Sequence, residues 1–117
     1  LVASTFSLNG IAEAAAIAAW NEPEYTQFIL DKNATERSRV IKGLREMGYH
    51  PIESVTNFVS CDIKHLATDI VKAMRARSVR ISTVGGDEFK NYIRLSMGKP
   101  EDTDAFLSNL KEVLDTL

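Results

Sequence analysis

Two arginines, Arg80 and Arg94, are the residues of this sequence best suited to bind a ligand. Each lies in a stretch where apolar and polar residues alternate, 79–84 and 92–97, as they do in a half-buried strand. A guanidinium presents a rigid fork of N–H donors that matches a carboxylate or a phosphate in two parallel hydrogen bonds. The pattern therefore predicts recognition of an anion, although two arginines that simply face solvent on the polar side of a sheet would give the same alternation.

The remaining reactive residues do not assemble into a catalytic centre. Lys64, Lys72, Lys90 and Lys99 all stand among polar residues, so none has the desolvated setting that a nucleophilic lysine needs. The pair Gly85-Gly86 is typical of a turn, because no phosphate-loop motif surrounds it. The residues alone thus predict binding groups without a catalytic site.

The single cysteine, Cys61, lies in an apolar run and is expected to be a buried, unreactive side chain. One cysteine cannot form a disulfide within the chain, which favours a reducing compartment and a cytoplasmic location. His50 and His65 have no cysteine or carboxylate at the spacing of metal ligands, so no metal site is predicted.

Composition limits the classes of function further. The 117 residues are 44% hydrophobic and 26% charged, with a net charge of −2, which is ordinary for one globular domain. The densest basic group, Arg75, Arg77 and Arg80, is too small to predict a nucleic-acid surface. No apolar run approaches the roughly 20 residues that cross a bilayer, so no membrane contact is expected.

The elements that would position the two arginines follow from periodicity and from helix-terminating residues. The expected order is an alanine-rich helix, a long helix, a strand, a helix, two strands and a last helix, over residues 7–20, 23–47, 54–63, 65–75, 79–84, 92–97 and 98–117. This order predicts an α+β fold, in which a small antiparallel or mixed sheet is covered by helices.

The first two helices are expected to belong partly to another packing unit. The first is apolar on nearly every side, and a polar stretch over 31–39 predicts a solvated middle for the second. The chain begins with Leu1 rather than Met, from which we expect further sequence upstream. The predicted division is 1–22 as the remnant of a large domain, 23–50 as an interdomain helix and 51–117 as a small domain.

Several short segments resemble one family of enzymes. They are Asn57-Phe58-Val59, Val79-Arg80, the run Ile93-Arg94-Leu95-Ser96-Met97-Gly98, and Phe6-Ser7-Leu8-Asn9-Gly10-Ile11-Ala12 before the alanine run. In this order and spacing the chain is similar to the C-terminal, small-domain portion of fold-type-I, class I/II aminotransferases that depend on pyridoxal phosphate. It is most similar to the histidinol-phosphate aminotransferase branch.

The resemblance assigns roles to the two arginines. Arg94 matches the arginine that binds the substrate α-carboxylate, and Arg80 matches the arginine that helps to hold a phosphate or another side-chain anion. The cofactor, pyridoxal phosphate, would be bound by the upstream domain, which would also supply the cofactor-linked lysine. This chain would then contain no catalytic or cofactor-binding residue and would be inactive alone. The resemblance also implies a homodimer that acts on a small amino-acid substrate.

Two positions depart from the pattern of this family. Ala76 stands where the family often has Gly, and Lys99 stands where it often has Thr. An aromatic amino acid or another amino-acid phosphate therefore stays open as the substrate. A different class of function also stays open, in which the chain is a stand-alone α+β module that binds an anion or a protein partner without catalysis.

Overall fold

The computed structural model describes residues 8–117, and these contain the predicted succession of elements. They are α1 (Gly10–Trp20), α2 (Pro23–Glu46), β1 (Phe58–Asp62), α3 (Ala67–Ala76), β2 (Ser82–Thr83), a 3₁₀ turn (Asp87–Phe89), β3 (Tyr92–Ser96) and α4 (Pro100–Asp115). Ser7, where the first helix was expected to begin, and Phe6 of the family-like segment lie outside the described residues. The α+β fold class predicted from the sequence is confirmed.

The chain divides into two compact units, residues 1–32 and 33–117, with the division inside α2. In the described part of the first unit, Asn9 caps α1 by accepting a 2.8 Å hydrogen bond from the backbone N–H of Ala12. No residue of α1 is buried, and Ile11, Ile17 and Trp20 are exposed. The domain boundaries expected from the sequence stay a prediction.

In the second unit, the three strands form an antiparallel sheet in the order β1-β3-β2. Val59, Cys61 and Ile93 are buried, and these positions alternate with the half-buried or exposed positions of the same strands. Because side chains alternate between the two faces of a strand, one face of the sheet is the core face and the other is polar.

Helices supply the rest of the core. The apolar side of α4 is formed by Phe106, Leu110 and Val113, which are all buried. From α2 and α3 the buried apolar residues are Val40, Ile41, Leu44, Ala67, Ile70 and Met74. The core thus joins α2, α3 and α4 to a single face of the sheet.

Both α2 and α3 end in the same hydrogen-bonded turn. After α2 the N–H of Tyr49 donates to the carbonyl of Leu44, and Gly48 has a φ of +86°. After α3 the N–H of Val79 donates to the carbonyl of Met74, and Ser78 has a φ of +63°. This is the Schellman arrangement, in which the left-handed residue is usually glycine. Gly48 supplies this usual residue after α2, while Ser78 adopts the left-handed conformation after α3 in spite of its Cβ.

The second turn explains an error in the sequence-based strand assignment. Arg80 was expected within a strand over 79–84, but β2 comprises only Ser82 and Thr83. The N–H of Val79 is already bonded to the end of α3 and cannot join a strand ladder. Arg80 therefore lies in the link between α3 and β2.

The first strand is also shorter than its predicted range of 54–63. Ser54 and Thr56 use their hydroxyl groups to donate to the carbonyl of Phe58, at 2.7 and 3.2 Å. Such side-chain bonds offer the backbone a turn in place of an extended strand. The strand accordingly begins at Phe58.

The expected solvated middle of α2 is wrong at one position. Glu36 is only 4% exposed, and its carboxylate accepts a 2.7 Å bond from Arg39. Arg39 also pairs with Asp104 and donates to the carbonyl of Pro100 at 3.4 Å. A charge can be buried when it is paired and hydrogen-bonded, and here the pairing fastens α2 to the start of α4.

Within residues 8–117 no helix combines the length and apolar character needed to cross a membrane.

Candidate functional site

Arg94 lies at the centre of the polar face of the sheet. It occupies the middle strand, β3, where its Cα is paired with Ser60 on one side and Ser82 on the other. Directly opposed residues project to the same side of a sheet, and the neighbouring Ile93 is buried on the opposite side. The guanidinium carbon of Arg94 lies over the ring of Phe58, 4.8 Å from its centroid.

The guanidinium of Arg94 is left available for a ligand. Across residues 8–117 it forms no ion pair and donates no hydrogen bond to an oxygen. The arginines at positions 39, 45 and 77 are paired with carboxylates, and Arg37 donates to the carbonyl of Thr56 at 2.8 Å. An exposed arginine without an acceptor, at the centre of a sheet, has the full donor fork that an anion needs.

Arg80 is exposed and lies close to the same strand. It precedes Ser82 by two residues, and Ser82 is the pairing partner of Arg94. It borders a cleft of about 340 Å³ together with Ser96, Gly98 and Asp102. Like Arg94, it has no ion-pair partner in the described part of the chain.

The structure thus brings the two predicted residues to adjoining segments, with different surroundings. Arg80 borders the cleft, whereas Arg94 is not among the residues that line it. Both side chains are exposed rather than sealed within the chain. A crevice shared by both guanidiniums, and their roles toward a substrate, stay a prediction.

One wall of the cleft depends on a close approach at Gly98. The carboxylate of Asp102 accepts a 2.8 Å bond from the N–H of Lys99 and caps α4. A Cβ at position 98 would lie only 2.5 Å from an oxygen of that carboxylate. A side chain at position 98 would therefore displace this carboxylate from its capping position.

All lysines of the chain lie on the surface of the described structure. A nucleophilic lysine needs a desolvated amine with a lowered pKa. The pKa of Lys64 is instead raised, chiefly because its amine donates a 2.7 Å hydrogen bond to Asp62. Among residues 8–117 there is also no cluster of His, Cys, Asp and Glu that could hold a metal ion.

Cys61 is buried on the core face, 1% exposed. Burial, assisted by the negative charge of Asp62, raises the pKa of its thiol to about 11. Because the thiolate is the reactive form of cysteine, this side chain is unreactive near neutral pH. Its setting is that of a core residue, as the apolar run predicted.

Comparison with known proteins establishes the class. The sequence model described as "Aminotransferase class I and II" matches residues 1–110, and the chain belongs to this family. The chain is 34% identical over 108 residues to histidinol-phosphate aminotransferase 3 of Rhizobium meliloti, covering 92% of this chain and 29% of that protein. It is 33% identical over 109 residues to histidinol-phosphate aminotransferase 2 of Methylococcus capsulatus, covering 93% of this chain and 29% of that one.

A solved structure supports the same assignment. The histidinol-phosphate aminotransferase of Sinorhizobium meliloti, crystallised with pyridoxal 5′-phosphate, superposes with a TM-score of 0.82 at 28% identity. The match covers 98% of this chain and 32% of that protein. The chain therefore spans a little under a third of the length of the curated relatives described here. The resemblance drawn from the sequence, to histidinol-phosphate aminotransferases within class I/II, is confirmed.

One residue of the site was missed by the sequence analysis. Phe58 was noted as part of a family-like segment, not as a neighbour of Arg94. The contact depends on the register of β1 against β3, which pairs Phe58 with Ser96 and Ser60 with Arg94. A single sequence does not give that register, although the even spacing of 58 and 60 placed them on one face.

Proposed function

We propose that this chain is the C-terminal, small-domain portion of a pyridoxal-phosphate-dependent aminotransferase. The enzyme transfers an amino group between an amino acid, or histidinol phosphate, and a 2-oxo acid. The chain supplies the residues that hold the anionic ends of the substrate. Membership of the aminotransferase family and similarity to histidinol-phosphate aminotransferases support this proposal.

The observation that carries the proposal is the free guanidinium of Arg94. It lies at the centre of the polar sheet face, and its N–H groups meet no acceptor within the described chain. They can therefore donate to both oxygens of an α-carboxylate. In the same proposal Arg80, beside the cleft at the edge of the sheet, holds a phosphate or a side-chain anion. Two fixed points on one substrate would set its position relative to the reacting atoms.

The cofactor belongs to the part of the enzyme that this chain does not include. When bound, pyridoxal phosphate serves as the electron sink of the reaction, and the protein contributes orientation and electrostatics. We infer that the lysine that carries it lies upstream, since every lysine here is exposed. A homodimer in the cytoplasm is part of the same proposal, on the strength of the family resemblance.

The decisive experiment replaces Arg94 in the complete enzyme. Arg94→Ala should lose about 2–5 kcal/mol of binding for a substrate with an α-carboxylate, a fall in kcat/KM of roughly 30- to 5000-fold. Arg94→Lys keeps the positive charge but not the forked donor geometry, so its kcat/KM should lie between those of the unchanged enzyme and Arg94→Ala. The matched control is Arg75→Ala, an exposed arginine in the last turn of α3, which should leave kcat/KM unchanged. Unaltered kinetics in Arg94→Ala would remove the role proposed for that residue.

A second experiment tests the chain by itself. Mixed with pyridoxal phosphate, the 117-residue chain should show no saturable imine absorbance at one cofactor per chain, because no lysine is desolvated. Stoichiometric, lysine-linked cofactor would contradict the assignment of cofactor binding to the upstream part.

A further inference from the structure

We propose that Phe58 is a positioning residue for Arg94. The face of its ring holds the guanidinium in place while the N–H donors stay free for a substrate carboxylate. This inference rests on the carboxylate-binding role proposed for Arg94 and adds the residue that prepares that arginine for its ligand.

The first support is the geometry of the contact. The guanidinium carbon of Arg94 lies 4.8 Å from the centroid of the Phe58 ring, inside the range of about 6 Å in which a ring face attracts a cation. This attraction consumes no hydrogen-bond acceptor. Throughout residues 8–117 the donors of Arg94 meet no oxygen acceptor, so the ring is the partner that the arginine has before a ligand arrives.

The second support is that Phe58 is itself well fixed. Its backbone is paired with Ser96 of the central strand. Its carbonyl accepts from the hydroxyl groups of Ser54 and Thr56. The preceding residue, Asn57, accepts a 2.8 Å bond from the N–H of Met97. The ring thus projects from a backbone held on both sides, which makes it a suitable support for a longer and more flexible side chain.

The functional consequence concerns the cost of binding. An arginine side chain has many rotamers, and a ligand that immobilises it must offset the entropy that is lost. A ring that already restricts the guanidinium lowers that cost, so its contribution should appear in affinity. The effect should be limited to ligands that bind Arg94. A residue that only stabilised the sheet would affect all substrates alike.

The test uses the complete enzyme and three variants. Phe58→Leu keeps an apolar side chain and removes the ring, and Phe58→Tyr keeps the ring. Phe89→Leu removes a ring that instead packs edge-on against Tyr92, at 5.4 Å between centroids. The glutamate half-reaction is measured in single turnovers, because L-glutamate has the α-carboxylate that Arg94 would hold. The affinity of the apoenzyme for pyridoxal phosphate, which the upstream part would hold, is the readout that does not depend on Arg94.

In Phe58→Leu the apparent Kd for glutamate should rise roughly two- to fivefold, the scale of an exposed cation–π contact. The Kd for pyridoxal phosphate should change less than about twofold in the same variant, since the cofactor would be held by the upstream part and not by Arg94. Phe58→Tyr should restore glutamate affinity, and Phe89→Leu should leave both values unaltered. In an Arg94→Ala background, Phe58→Leu should add nothing, because the two residues act as one unit.

Two results would overturn the inference and can be told apart from failure of the proposed function. If Arg94→Ala weakens glutamate binding while Phe58→Leu does not, Arg94 keeps its role and Phe58 loses the one proposed here. Equal weakening of glutamate binding and of cofactor binding in Phe58→Leu would likewise show a merely structural part. If Arg94→Ala itself leaves glutamate affinity intact, the proposed role of Arg94 fails and the inference falls with it.

Discussion

The two faces of the three-stranded sheet are built for opposite purposes. On one face, Val59, Cys61 and Ile93 are at most 2% exposed and contribute to the core shared with α2, α3 and α4. On the other, Phe58, Ser60 and Arg94 are half-buried or exposed, and Arg94 has no partner but a ring. The five-residue strands β1 and β3 supply side chains to both faces, because neighbouring side chains of a strand project in opposite directions. The odd positions therefore stabilise the core, and the even positions hold the residues proposed to recognise a ligand.

The largest effect on stability should come from a residue packed against the core face of the sheet. Phe106 is completely buried in α4, and Phe106→Ala should lower the free energy of unfolding by about 3–5 kcal/mol through lost burial and the cavity left behind. Urea unfolding followed by circular dichroism measures it. Ser96→Ala, on the polar face, is the control and should stay within about 0.5 kcal/mol. Equal losses in the two variants would show that the faces do not differ as described.

A smaller loss in the free energy of unfolding is expected at the ion pairs that Arg39 of α2 forms with Glu36 and Asp104. Arg39→Ala leaves the buried carboxylate of Glu36 without its partner. Because Arg39 is partly exposed and solvent can compensate, the loss in the free energy of unfolding should be smaller than that of Phe106→Ala and larger than that of breaking an exposed ion pair. Lys111→Ala breaks an exposed pair with Asp115 at 2.7 Å and should cost less than about 0.5 kcal/mol. Indistinguishable unfolding curves for these two variants would contradict the structural part assigned to Arg39.

Alkaline pH should reveal the burial of Cys61. The pKa of its thiol rises from 9.0 to about 11 on folding, so the folded state holds the proton more strongly than the unfolded state. Its stabilising contribution is complete below pH 9 and declines as the pH rises toward 11, by about 1 kcal/mol at pH 10. Urea unfolding at pH 8, 9 and 10 measures the decline, and Cys61→Ala should lack this part of it. A decline of the same size in Cys61→Ala would assign it to another group.

The smallest effect on stability should come from the polar face. Arg94 forms no ion pair within the described residues, so Arg94→Ala should change the free energy of unfolding by less than about 1 kcal/mol, the scale of an exposed cation–π contact. Thermal and urea unfolding of the variant measure the change. A loss as large as that of Phe106→Ala would mean that Arg94 serves the fold rather than a ligand.

Most of the helices and strands could be predicted from the sequence, because the local periodicity of apolar residues indicates them. Periodicity predicted the last helix over 98–117, in which Phe106, Leu110 and Val113 are buried, and alternation predicted the strand that holds the buried Ile93 beside the exposed Arg94. The errors occur where particular hydrogen bonds override the periodic pattern. The N–H of Val79 is bonded to the end of α3, and the buried Glu36 is paired with Arg39, which also pairs with Asp104 of α4.

The candidate site, too, could be predicted only in part. The residue types of Arg80 and Arg94 were enough to nominate them, because few side chains bind an anion with a fixed fork. The part played by Phe58 was not accessible, because it depends on which residue of β1 lies opposite which residue of β3.

The turn after α3 has a bearing on how such an enzyme could change its preferences. Arg94 is fixed by two neighbouring strands, whereas Arg80 follows a turn locked onto the carbonyl of Met74. A residue inserted or deleted between Ser78 and Ser82 would move Arg80 and leave Arg94 where it is. Under the proposed function, the spacing between the two anions of a preferred substrate would therefore change with the length of this loop, while Arg94 stays in place.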